Sequence, residues 1–162
     1  MTAPHSEPVR AILLRAIRIE ARNGAIYDSL ANLFAGYDGS VTALFQEMAD
    51  AERQHGAELE DRYRQRFGPV PIATEEPQEV IEAPDLEDAE AFIFDSMTLE
   101  QALESGLRAE LDAREFYRQQ MSRTTDAGLR QTYRELAEFE ETHVRLLEEK
   151  LAEKRRIPST GR

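Results

Sequence analysis

Two short stretches carry residue types that can do chemistry: Glu52-Arg53-Gln54-His55 and Glu140-Glu141-Thr142-His143. Each places a carboxylate three residues before an imidazole. On a helix, positions i and i+3 share a face, so each pair can grip one metal ion. Glutamate is abundant in this chain, and one such spacing alone carries little weight. Two of the three histidines have it, and each stretch has a matching glutamate on the helical segment before it, Glu20 and Glu110.

All six residues, Glu20, Glu52, His55, Glu110, Glu140 and His143, fall where a helical stripe calls for an apolar side chain. Burying four carboxylates without compensation is costly. Two divalent cations supply the four balancing charges. Hard carboxylate oxygen with borderline imidazole suits iron or manganese. Zinc could enter by affinity, although structural zinc takes fewer ligands. The competing reading, a metal-free bundle held by buried salt bridges, is disfavoured because nothing basic occupies the stripes opposite the glutamates. His5, outside any stripe, is read as a bystander.

Four amphipathic stripes position these residues. The first runs Leu13, Ile17, Glu20, Gly24, Tyr27, Ala31, Phe34 and the second Phe45, Met48, Glu52, His55, Leu59, Tyr63. The third runs Leu99, Leu103, Leu107, Glu110, Ala113, Tyr117 and the fourth Leu129, Tyr133, Leu136, Glu140, His143, Leu147, Leu151. The expected helices cover about 7–35, 40–67, 98–122 and 126–156, within one domain spanning 1–162. Ser6-Glu7-Pro8 reads as the first helix start, Ser40 as a cap of the second, and Thr98 to Gln101 as a capping box opening the third. Gly36 to Gly39 and Gly68-Pro69 end the first two helices, and Thr124 to Asp126 starts the fourth. The proline-interrupted, acidic segment 69–96 reads as a crossover long enough to travel a bundle, with a short helix near Asp85–Asp95 that packs through Phe92 to Phe94. Its Glu75 to Glu90 stretch reads as a solvated loop, and the tail from Arg155 to Arg162 as frayed. The fold class is therefore all-α, an up-down four-helix bundle with one long crossover between helices 2 and 3. The chain also repeats internally: Tyr27 follows Glu20 by seven residues, as Tyr117 follows Glu110, so each half is a helix with one Glu and then a helix with Glu-x-x-His.

Composition narrows the partners. The chain has 162 residues, 41% hydrophobic and 32% charged, and a formal net charge of −12, which disfavours nucleic acid and anionic membranes. It has no Cys, which excludes disulfides, iron–sulfur clusters and rubredoxin-type iron. No signal core or membrane-spanning run is visible, and a soluble cytoplasmic protein is expected.

The segments Glu20 to Tyr27, Phe45 to His55, Phe67-Gly68-Pro69, Glu110 to Tyr117 and Leu136 to His143 together resemble the ferritin-like di-iron carboxylate proteins. The resemblance is closest to the rubrerythrin group without its rubredoxin domain, and it extends to the ferritin domain of membrane-bound ferritins. It covers about residues 9–152 and implies two iron ions, with manganese as the other candidate. Glu52 and Glu140 would bridge them, with Glu20 and His55 ending one ion's ligand set and Glu110 and His143 the other's. No catalytic residue beyond the metal ligands is implied. The implied reaction is oxidation of ferrous iron by O2 or hydrogen peroxide. The alternatives are a rubrerythrin-like peroxidase with an external electron donor, a manganese catalase as a variant, and a non-enzymatic iron-binding or iron-sensing module. Ala113 stands where peroxidase rubrerythrins carry an extra Glu. Arg53 stands where bacterioferritins carry their haem-ligating Met, so haem is not expected. A storage cage and transmembrane helices are not expected either; a homodimer is. Tyr27 and Tyr117 have two readings, hydrogen-bond donors to ligands or plain core residues.

Overall fold

The computed structural model describes residues 6–71 and 98–156. The expected short helix at 85–95, the acidic loop, the Phe92 to Phe94 contact, His5 and the chain from 157 onward lie outside the described residues. The described residues form four helices: α1 (Ser6–Phe34), α2 (Gly39–Phe67), α3 (Leu99–Arg123) and α4 (Ala127–Arg156). They are the four helices of a ferritin-like bundle. None is long and apolar enough to cross a membrane.

The described residues cluster into two compact units. One takes α1 through Leu33 with α2 from Ala43, and the other takes residues 34–42 with α3 and α4. In the first unit, Arg10 meets Tyr63, Glu20 lies beside His55, and Asp28 pairs with Arg53. Partner numbers fall along α2 as they rise along α1, so the two helices are antiparallel. The second unit repeats this, with Glu100 meeting Arg155, Glu110 beside His143, and Arg114 pairing with Glu141.

The stripes bury as their period requires. In α1, α2 and α4 every stripe residue is buried; in α3, Leu99 and Leu107 are half-buried while Leu103, Glu110, Ala113 and Tyr117 are fully enclosed. The repeat extends through these layers. Leu13 corresponds to Leu103, Tyr27 to Tyr117, Phe45 to Tyr133 and Leu59 to Leu147, and all eight are buried. Tyr27 stacks on Phe45 with centroids 6.0 Å apart, and Tyr117 stacks on Tyr133 at 6.3 Å.

Local chemistry sets the helix ends. Gly36 (φ 83°) and Gly68 (φ 85°) adopt the left-handed conformation that closes α1 and α2, where a side chain would be strained. Thr98 forms the full capping box with Gln101. Asp126 caps α4 by accepting from the Leu129 amide. At α2 the cap is Asp38 rather than Ser40: its Oδ1 accepts from the Ser40 and Val41 amides, and the Ser40 hydroxyl donates to the same oxygen. Lys154 Nζ lies 2.7 Å from the other Asp38 oxygen.

The Lys154 contact, followed by the amide and hydroxyl bonds, lowers the Asp38 pKa from 3.8 to about 2. A depressed folded-state pKa adds stability that is full above the unfolded value and lost as pH falls through the folded one. Asp38→Ala should therefore cost about 2 kcal/mol of unfolding free energy at pH 7 in urea titrations. The difference from wild type should close as pH drops from 3.8 toward 2. A pH-independent difference would show that the Lys154–Asp38 contact contributes nothing.

Candidate metal centre

Each unit assembles three of the six expected ligands. In the first, Glu20 on α1 meets Glu52 and His55 on α2. Glu20 and Glu52 are 0% exposed and His55 4%. His55 Nδ1 lies 3.4 Å from Glu20 Oε2, and one ligand atom from each residue falls within 4.8 Å of the other two. In the second, Glu110 on α3 meets Glu140 and His143 on α4. His143 Nδ1 lies 3.4 Å from Glu110 Oε1 and 3.9 Å from Glu140 Oε2, and the three ligand atoms again fall within 4.8 Å. Two ligand atoms each ~2.1 Å from one ion at cis angles stand roughly 3.0–3.4 Å apart. Both Glu–His pairs are therefore spaced as ligands of a shared ion would be.

The charge is as unusual as the geometry. Among the described residues the buried ionisable groups, tyrosines aside, are these four glutamates and two histidines, and no Lys or Arg is buried. Each triad thus sets two carboxylates and one imidazole in an interior that supplies no buried cation. A divalent ion neutralises two carboxylates, so the donor set fits one such ion per triad.

Close backbone approach shapes the first triad. A Cβ built on Gly24 would meet Glu52 Cβ at 3.5 Å, and one on Gly56 would meet Glu20 Cβ at 3.6 Å. These are ordinary contact distances, so a methyl fits and leaves little room toward the glutamate stems. In the second unit the place of Gly24 is taken by Arg114, whose guanidinium donates to Glu141 next to Glu140 of the triad. That hydrogen bond, helped by the charges of Arg114, Arg145 and Arg118, holds the Glu141 carboxyl below its usual range. Glu141 is thus committed to an arginine cluster flanking the triad. Sequence reading did not single out this pair; its signal was the unlike residues at equivalent places of the repeat, Gly24 against Arg114 and Arg53 against Glu141.

Tyr27 and Tyr117, each two turns beyond its Glu, are 0% exposed and packed in the ring stacks described above. Asn23, one turn beyond Glu20, is also 0% exposed and belongs to neither Glu-x-x-His motif.

Four antiparallel-paired helices bearing two buried Glu/Glu/His triads define a ferritin-like protein with a carboxylate–histidine metal-binding cluster. The rubrerythrin family model matches residues 11–151, and the chain belongs to that family. Among solved structures, it is similar to a bacterioferritin from Rhodobacter capsulatus, with 21% identity over 96% of this chain and 89% of that one and a TM-score of 0.72. That structure was determined with a metal-free dinuclear site and with haem iron on a crystallographic special position. A hypothetical protein from Pyrococcus furiosus is similar at 21% identity over 88% of this chain and 87% of that one, with a TM-score of 0.67. No curated protein matches this sequence. At such identities these likenesses establish the fold.

The Gly24 contact gives a graded test. Gly24→Ala should raise stability by about 0.5–1 kcal/mol, because a helical glycine is replaced where a methyl fits. Gly24→Leu should instead push Glu52 aside and lower the metal bound per chain in equilibrium dialysis against Mn(II). Equal metal binding by both variants would show that Glu52 does not depend on this approach.

Proposed function

We propose that this protein is a di-iron oxidoreductase in which Glu20, Glu52 and His55 hold one iron and Glu110, Glu140 and His143 hold the other. The observation that carries this reading is the repeated triad: the same three donor types, buried, at the same places of both halves, with no buried Lys or Arg among the described residues. Membership of the rubrerythrin family supports it, as does likeness to a bacterioferritin that has a dinuclear site.

The proposed reaction is oxidation of ferrous iron by hydrogen peroxide or O2. With peroxide, two Fe(II) each give one electron, the O–O bond breaks, and two protons complete two waters, leaving two Fe(III). Iron supplies the redox change. The chain's part is to hold the two ions, balance their charge with four carboxylates, and keep the imidazoles aimed. The Tyr27–Phe45 and Tyr117–Tyr133 stacks pack each helix pair two turns from its ligands. The tyrosine hydroxyls are proposed to hydrogen-bond the ligands as well.

Anaerobic Fe(II) titration with metal analysis tests the reading. Wild type should take up two Fe(II) per chain, while His143→Ala and Glu52→Ala take up fewer. Adding peroxide should oxidise the bound iron, and repeated additions of Fe(II) should be consumed in turn. If wild type binds no more iron than the variants, the metal centre is refuted. If it loads two irons and then stops, a binding or sensing role replaces the enzymatic one. If turnover instead requires an added reductant, the peroxidase with an external donor is the reaction.

A further inference from the structure

The two halves share their ligands but not what surrounds them. Aligning Glu20 with Glu110 sets Asn23 against Ala113, and both positions are buried, at 0% and 2% exposure. The fold therefore accepts a methyl at this place and does not need a carboxamide. Yet among the described residues neither the nitrogen nor the oxygen of the Asn23 side chain has a hydrogen-bond partner. A buried amide left in that condition is a cost that its counterpart avoids by being alanine.

Asn23 is also close along the chain to a triad glutamate. It follows Glu20 by one turn on the same face of α1. The residue after it, Gly24, faces Glu52, and Glu20 itself lies against His55 and Gly56. The α1 turn from Glu20 to Gly24 is thus the segment laid along the Glu52–His55 motif. A carboxamide offers one accepting oxygen and a donating nitrogen. Another carboxylate could satisfy only the nitrogen. A water molecule, which donates and accepts, can satisfy both.

We propose that Asn23 is a positioning residue of the Glu20–Glu52–His55 triad, and that its carboxamide hydrogen-bonds a water brought in as a ligand of the divalent ion held there. The second triad has Ala113 at that place and lacks this contact, so the two ions are inequivalent. This inference rests on the proposed metal reading of the triads.

Co(II) is the probe, because its visible absorption reports the ligand field at each ion. Wild type should bind two Co(II) with separable affinities. Asn23→Leu should weaken one of them about 10–100-fold, the range for losing a group that orients metal ligands, and leave the other unchanged. It should also alter the visible bands of the weakened ion. Metal-free Asn23→Leu should melt no lower than metal-free wild type, since an unpartnered amide has been removed. Asn23→Ala, which copies Ala113, should give the same selective weakening and guards against a leucine that does not fit. Wild-type affinities and spectrum in both variants would overturn the inference. So would equal weakening of both ions together with a lower metal-free melting temperature, which marks a merely structural residue. If wild type binds no Co(II), the metal reading fails and takes this inference with it; if wild type binds two and the variants match it, only the role of Asn23 fails.

Discussion

A carboxylate on the buried face of a helix is tolerated only when something neutralises it, and this chain places two on each helix pair. Moving an ionised carboxylate out of water costs several kcal/mol even after relaxation. No Lys or Arg among the described residues is buried to offset this, and several serve acids at the surface. Arg53 serves Asp28 and Asp50, Arg64 serves Glu60 and Asp61, and Arg155 serves Glu100 and Glu104. These pairs are exposed and contribute little to stability. Stability must come instead from the apolar layers on either side of the triads, where Leu13, Leu59, Leu103 and Leu147 are all but fully enclosed. The helix pairs read as apolar clamps around a polar middle of two carboxylates and one imidazole each.

The internal repeat explains how the clamp is built twice. An antiparallel helix pair brings one residue of the first helix opposite a short segment of the second. A Glu on the first and Glu-x-x-His on the second then meet without any loop taking part. The same register carries the aromatic stack, Tyr27 on Phe45 and Tyr117 on Tyr133, so the ligand layer and the ring layer move together as one unit of design. Rigid helices rather than loops hold all six triad residues, an arrangement that fixes the donor atoms in advance.

Much of this was legible in the sequence because buried helical faces recur at a simple period. The stripes identified the buried face of all four helices, and the ligands stood out as charged residues in apolar places. What escaped depended on interactions the period does not encode. Ser40 reads as a cap of α2, but Asp38 does the capping through the Ser40 and Val41 amides, and its other oxygen meets Lys154, far away in sequence. Leu99 and Leu107 fit the α3 stripe yet are half-buried, since position on a helical wheel does not say how completely a neighbour covers it. Asn23 stands at the stripe place that Ala113 fills in the other half, but a carboxamide there belongs to no ligand motif, and its burial is what marks it.

The places where the repeat fails sort into two kinds. Gly24 against Arg114 and Arg53 against Glu141 exchange partners across the outer side of the ligand helices: one half keeps a glycine beneath an outward arginine, and the other locks the space with an Arg–Glu pair. Both solutions pack the turn beside a ligand, so this difference redistributes surface charge and leaves the donor set intact. Asn23 against Ala113 is different in kind, because it changes the inside of the bundle and leaves a cost in the metal-free chain that packing does not repay. Duplicated halves under a shared packing constraint should keep their interiors alike unless the two interiors have different tasks. Asn23 against Ala113, one turn from a triad glutamate and buried in both halves, is therefore where a distinction between the two ions would be written.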